Sequence, residues 1–252
     1  LFADSIDRQI IARYQAIKPA MGVLCRRSTV PDFRTVKRYA FSGGLNAPME
    51  EVEESGEYRK SQIIETQYSY AAKKFGRRVD FSWEAFLNDD LGALSDIANG
   101  LAVGAYNTEE YLQTGLFWDA NGPKDAYFDV TGIGQDGVSS APLEVASLGT
   151  AIAEMCGART SYNVSSVPVV NIPRYLVVPP ALQVKAQDIL KSQAKAWVFG
   201  GTISPAARDV YSSLGEYNIQ LVVNPWIPII VTSGTLGATT WALFSETIQC
   251  CE

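Results

Sequence analysis

Apolar and charged positions alternate with helical spacing at the start of the chain, where Ile6, Ile10, Tyr14 and Ile17 fall at steps of four, four and three. This pattern predicts an amphipathic helix over 5–17, ended by Pro19. From 33 the period shortens. Phe33, Thr35, Lys37, Tyr39 and Phe41 share one side of an extended run, and Arg34, Val36, Arg38 and Ala40 the other. A turn-rich stretch from Ser42 to Pro48 follows, then an acidic run, Glu50 to Glu57, that holds five glutamates. A second run with β character spans Gln62 to Tyr70, and a third strand candidate spans Arg77 to Trp83. Together these predict a long two-stranded arm with a charged tip. Neither of its faces is apolar enough to demand burial in its own domain. A lone hairpin is marginal in water and exposes unpaired backbone edges. The arm is therefore expected to lie on a second copy of the chain.

A long helical pattern comes next. Asn88, Asp89 or Asp90 suits its start, and Leu91, Leu94, Ile97 or Ala98, Leu101, Ala105 and Leu112 recur at three- and four-residue steps. Glycines and Pro142 make 115–142 loop-like, and a second helix is expected over 143–157 with Val145, Leu148, Ile152 and Met155 on one face. Tyr175 to Val178 reads as a buried strand stopped by Pro179 and Pro180. A helix follows at once, with Leu182, Ala186, Ile189 or Leu190, and Ala194 on one side. Ile219 to Val223 and Thr240 to Phe244 are further buried strands. This alternation implies a mixed α/β layer in an α+β chain.

Composition narrows the function. The chain has 252 residues, 47% of them hydrophobic and 19% charged, which suits globular cores rather than disorder. No apolar run approaches the ~20 residues needed to cross a bilayer, and Trp226 to Val231 carries prolines. Asp4, Asp7 and Arg8 interrupt any signal peptide, and Leu1 fits proteolytic maturation and an omitted N-terminus equally well. A net charge of −6 argues against a dedicated nucleic-acid binder. Residues 1–90 hold 14 of the 21 Lys and Arg and 13 of the 27 Asp and Glu, a density of both signs that suits contacts between subunits.

The absence of histidine removes Ser-His-Asp and Cys-His nucleophile systems, His-based metal sites and imidazole acid–base chemistry. Thr131 to Gly137 superficially resembles a dinucleotide turn, but its third glycine falls one position early and it reads as a loop. The acid pairs Asp89–Asp90, Glu109–Glu110, Glu50–Glu51 and Glu53–Glu54 read as helix caps or solvated faces. Cys25, Cys156, Cys250 and Cys251 fit no zinc or redox spacing and are expected to be reduced. No catalytic, cofactor-binding or metal-ligating residue is nominated, and no cofactor is expected.

The segment Asn171-Ile-Pro-Arg-Tyr-Leu-Val-Val-Pro-Pro-Ala-Leu182 resembles a strand-to-helix junction of tailed-bacteriophage major capsid proteins, especially the Mu-type major head subunit. Pro31 to Arg38, Gly56 to Tyr58, Lys74 to Arg78 through Ser82, Asn88 to Leu91, Leu221 to Pro225 and Trp241 to Phe244 resemble further stretches of that family in the same order. The resemblance covers about residues 30–245. It implies the HK-97-type fold: an N-terminal arm over 1–30, an extended β-hairpin loop over 31–82, a peripheral domain with a long helix over 83–142, an axial domain over 143–240, and a return to the peripheral domain over 241–252. Family members usually continue beyond the Trp241 to Phe244 strand with one more peripheral stretch, whereas this sequence stops at Glu252: either the chain is shortened, its tail lies outside the sequence, or that strand is missing.

What the resemblance implies is a virion protein, made in the bacterial host cytoplasm, that is not an enzyme. Its partner would be itself, in hexamers and pentamers of an icosahedral shell around double-stranded DNA. Decoration, portal and scaffold proteins are further expected partners. DNA would be met only non-specifically, and a membrane not at all. Arg26, Arg27, Lys73, Lys74, Arg77 and Arg78 are expected to receive the acidic tip of a neighbour. The alternatives are an encapsulin-like compartment shell with the same fold, or an α/β hydrolase lacking histidine.

Overall fold

The computed structural model describes residues 2–17, 19–26, 28–43, 49, 51–58, 60, 63–79, 92–124, 128, 140–157, 159–162, 165–168, 171–191, 198–199, 202–203 and 217–245. Asn88 to Leu91, the 131–137 loop, Glu50, Arg27, Ala194, Cys250, Cys251 and the second half of the Arg77 to Trp83 strand lie outside them.

Helix α1 (Phe2–Ala16) comes first, followed by a 3-10 turn at Met21–Val23. Strands β1 (Val36–Gly43) and β2 (Ile63–Tyr70) pair antiparallel, from Val36 opposite Tyr70 to Gly43 opposite Ile63. Helix α2 (Gly92–Phe117) is 26 residues long, or about 39 Å at 1.5 Å per residue. It runs five residues past the expected end at Leu112. Gly115 does not stop it, because the Lys124 ammonium donates to the Gly115 carbonyl and the Lys124 N–H donates to the Phe117 carbonyl at 2.9 Å. A short hairpin of β3 (Trp118–Asp119) and β4 (Gly122–Pro123) turns there, with Gly122 at φ +132°, a conformation that excludes most side chains.

Helix α3 (Val145–Cys156) opens with the Glu144 N–H donating to Ser147 Oγ at 2.9 Å. Strands β5 (Arg159–Tyr162) and β6 (Ser165–Pro168) form a hairpin. Strand β7 (Pro173–Val178) and a 3-10 turn at Pro180–Leu182 lead into α4 (Gln183–Lys191). A two-residue ribbon of β8 (Val198–Phe199) and β9 (Thr202–Ile203) precedes β10 (Gln220–Val223), helices α5 (Ile227–Ile230) and α6 (Leu236–Thr239), and β11 (Ala242–Ser245). These elements give the α+β class expected from the sequence.

The central sheet has the order β10-β7-β11, with β7 parallel to β10 and antiparallel to β11. Its middle strand explains its own apolar run. Leu176, Val177 and Val178 are fully buried, because alternate side chains enter two different cores. Val177 joins Met21, Leu24, Phe117, Trp118, Val222, Ile227, Val231, Ala242 and Phe244. Leu176 and Val178 join Leu143, Leu148 and Ile152 around α3, with Ala186 and Ile189 of α4. Each large side chain so buried stabilises by about 1.5–3 kcal/mol.

A buried polar strut ties the sheet to α2. The Asn224 N–H donates to the Val178 carbonyl at 2.9 Å and its Nδ2 to Thr114 Oγ1 at 2.7 Å, while its Oδ1 accepts the Trp226 N–H at 2.8 Å. Asn224 and Thr114 are both fully buried, so the three bonds replace water that neither can reach.

Close approach dictates Gly237. A Cβ there would lie 2.6 Å from the Val231 carbonyl oxygen and 2.9 Å from the Pro228 Cα. Both obstacles are backbone and cannot rotate away. Gly237→Ala is expected to cost about 1–3 kcal/mol, as overpacked sites do, and urea denaturation would measure it; an unchanged midpoint would refute the close approach.

One cysteine expectation fails. Cys25 is disulfide-bonded and not reduced, whereas Cys156 is a free, exposed thiol. Sequence spacing tests only local pairings; a disulfide needs proximity in the fold.

Candidate assembly interface

The described side chains of the arm face solvent along most of its length. Lys37, Arg38 and Tyr39 on β1 and Ile63, Glu65, Gln67, Tyr68 and Ser69 on β2 are exposed. Tyr39, Ile63 and Tyr68 remain 51%, 57% and 60% exposed, values typical of side chains awaiting a partner surface. Among the ribbon's described side chains, only the base pair, Val36 and Tyr70, is half-buried. There Arg38 donates from Nε to the Tyr70 hydroxyl at 3.3 Å and from Nη2 to Ser28 Oγ at 3.1 Å. The ribbon is thus tied down at its root.

At the tip, Glu51, Glu53, Glu54 and Glu57 are all exposed around a turn closed by the Gly56 N–H donating to the Glu53 carbonyl at 2.8 Å. Ser55 takes φ +69° to make that turn. Among the described residues no ion pair involves these glutamates. The pairs that occur, Arg34–Asp32 at 3.6 Å and Lys185–Glu144 at 3.8 Å, are surface contacts worth little. Arg26, Lys73, Lys74, Arg77 and Arg78 are likewise exposed along the limbs that enter and leave the arm. Glu51, Glu53, Glu54 and Glu57 thus leave their charges to solvent, as do Lys73, Lys74 and Arg77.

The acid pair Glu109–Glu110 corrects its sequence reading. It is neither a cap nor a solvated face: Glu110 is 1% exposed in mid-helix. Its Oε1 accepts the Met21 N–H at 3.2 Å, and Glu109 Oε2 accepts the Tyr14 hydroxyl. Burial pushes the Glu110 carboxyl above its ordinary value, against the lowering effect of the Met21 and Ala20 N–H groups, while the charge of Glu109 adds to the rise. Burial, and then the Glu110 charge, raises Tyr106 as well. One signal could have revealed Glu110: it falls at four-residue steps with Ala98, Ala102 and Thr114, on the buried line of α2. Nothing comparable in the sequence marks Asn224.

Chemistry has little foothold here. Among the described residues no group of His, Cys, Asp and Glu is arranged to hold a metal ion, and no helix is long and apolar enough to cross a membrane. A cleft of about 170 Å³ between α1 and α2 is lined by Arg13, Ala16, Ile17, Asn99, Ala102 and Val103, without a nucleophile or an acid–base pair.

Comparison with known proteins gives one match. No curated protein and no solved structure matches the chain. The model of the family described as phage capsid protein matches residues 65–250, from within β2, through α2 and the central sheet, to beyond β11. The match sets aside the hydrolase alternative, because it accounts for most of the chain by a structural role. This match over most of the chain shows the family: the chain belongs to the phage capsid protein family, and is a structural, non-enzymatic component of the virion shell.

Proposed function

We propose that this chain is the major head subunit of a tailed phage, with an HK-97-type fold, closing an icosahedral shell around double-stranded DNA from its own hexamers and pentamers. The observation that carries this reading is the arm, whose described side chains are exposed on both faces beyond its base. A closed shell reuses one set of surfaces under symmetry. A ribbon reaching across a neighbour adds interface without enlarging the core. On this reading 1–30 is the N-terminal arm, 31–82 the extended loop, 83–142 the peripheral domain, 143–240 mostly the axial domain and 241–252 the return. The family match supports it by covering the return strand, the long helix and the sheet. The net charge of −6 keeps the lining from sticking to packaged phosphates.

The acidic tip would seat against the basic run of a neighbour, Arg26, Lys73, Lys74, Arg77 and Arg78, fixing register more than affinity. Raising salt from about 0.1 M to about 1 M shortens the screening length from ~10 Å to ~3 Å. Light scattering is expected to show assembly starting later and more slowly at the higher salt. An onset that does not respond to salt would remove the tip from the mechanism.

A further inference from the structure

Helix α1 and the 3-10 turn after it are held on α2 by two adjacent carboxylates, at opposite ends of the contact. Glu109 takes the Tyr14 hydroxyl, and Glu110 takes the backbone at Met21 and Ala20. We propose that Glu110, with Glu109 beside it, is a protonation-controlled clasp that sets how tightly the N-terminal segment 2–24 is held against the long helix. The clasp is independent of whether the arm reaches a neighbour.

The geometry is unusual for a carboxylate. Glu110 sits in mid-helix, 1% exposed, and its Oε2 has no hydrogen-bond partner among the described residues. A buried charge is tolerated when it is paired with a cation or fully hydrogen-bonded. Glu110 has backbone donors at one oxygen and none at the other.

Among the described residues its surroundings supply no cation. On α2 the titratable neighbours are Tyr106 and Glu109, and the negative charge of Glu109 opposes ionisation of Glu110. From α1 come Tyr14, already bonded to Glu109, and Arg13, which is exposed and lines the cleft with Asn99, Ala102 and Val103. That places Arg13 about two turns of α2 away from Glu110. The 3-10 turn offers Met21, Gly22 and Val23, none of which titrates, and Cys25 beyond it is disulfide-bonded. The sheet and α5 contribute Val177, Val222, Phe244 and Ile227 to the core around Met21, all apolar. Asn224 and Thr114, one turn along α2, are neutral and spend their hydrogen bonds on each other and on backbone.

The sign follows from which state binds the proton more tightly. Docked against the turn, Glu110 is shielded from water and its carboxyl is held above the ordinary value. Undocked, it returns to that value. The docked state is therefore favoured where both forms are protonated, and loses stability as pH rises through the docked carboxyl's range. The segment closes onto α2 in acid and loosens toward neutral pH. The Glu109–Tyr14 contact remains, so loosening begins at the 3-10 turn and not at α1.

Hydrogen exchange of the full chain, read by mass spectrometry over 8–24 and corrected for intrinsic rates, tests the clasp. In the wild type, exchange should increase as pH rises above the ordinary carboxylate range, because the raised carboxyl gives up its proton there. Glu110→Gln keeps an acceptor for the Met21 N–H without the charge, so its exchange should stay flat at the wild-type acid level. Glu109→Gln should keep the slope and move its midpoint to lower pH, because it removes a charge that opposes ionisation. A merely structural glutamate would produce neither the flat profile nor the shifted midpoint. A wild type without a slope, a Glu110→Gln variant that retains it, or a Glu109→Gln midpoint that stays put would each overturn the clasp. If Glu110→Gln fails to fold, the wild type and Glu109→Gln decide the question between them.

Discussion

Removing residues 42–61 is expected to leave a soluble, folded chain that no longer makes shells. The fold survives because the described residues of the tip, 49, 51–58 and 60, are all exposed and contribute nothing to either core. The ribbon can also close without them. Phe41 pairs with Glu65, so the deletion leaves Gln62, Ile63 and Ile64 as a three-residue hairpin loop, a common connection length. What disappears is the distal reach of the arm. Every 1.4 kcal/mol lost from a contact is tenfold in its equilibrium constant, and a shell repeats the loss at every copy. The shell yield should therefore fall by at least about tenfold. Circular dichroism matching the full chain, together with sedimentation as a small species, is the expected pair of readouts. Normal shells in electron micrographs of the deleted protein would defeat the arm's role.

The largest expected effect on stability comes from Phe244→Ala. Phe244 lies in β11, 5% exposed, where the core on one side of the sheet converges. Its ring meets Phe117 edge-on at 5.1 Å, Phe128 at 6.0 Å and Trp118 at 6.3 Å. These rings come from the end of α2, from the loop after it and from the hairpin that turns it back. Removing the ring opens a cavity that no single neighbour can fill, at a cost of about 3–5 kcal/mol. Guanidinium denaturation of the unassembled chain should show the loss directly. A shift below about 1 kcal/mol would mean that the aromatic cluster collapses into the space and is not a fixed joint.

Periodic segments were legible in the sequence, and long-range contacts were not. Helix α1, α2, α3 and all three strands of the central sheet fall where the spacing of apolar residues places them, because each pattern reflects a face that must be buried. The run from Tyr175 to Val178 is apolar throughout for a reason the structure supplies: it feeds cores on both faces of the sheet. The hairpin of β5 and β6 went unread, since Arg159 to Pro168 carries polar and apolar residues without a clear period. The short helix α5 was hidden behind Pro225 and Pro228, although proline is well tolerated in a first turn. Glu110 was misread because an acid pair on a helix usually faces water, and only the arrival of the Met21 N–H makes burial tolerable. The disulfide at Cys25 depends on proximity, which composition does not encode. The arm was legible by a different route: its strands alternate well, yet neither face is apolar enough for a core, and that mismatch pointed outward to other copies.

The exposed limb from Ala71 to Val79 has a consequence of its own. It is extended chain without helix or strand, and it presents Lys73, Lys74, Arg77 and Arg78 to solvent at the root of the arm. Such a stretch is what a trypsin-like protease needs, whereas seated beneath a neighbour it would be out of reach. Copies that miss their place carry a built-in cleavage tag, and digestion before counting gives a direct census of subunits in place against strays.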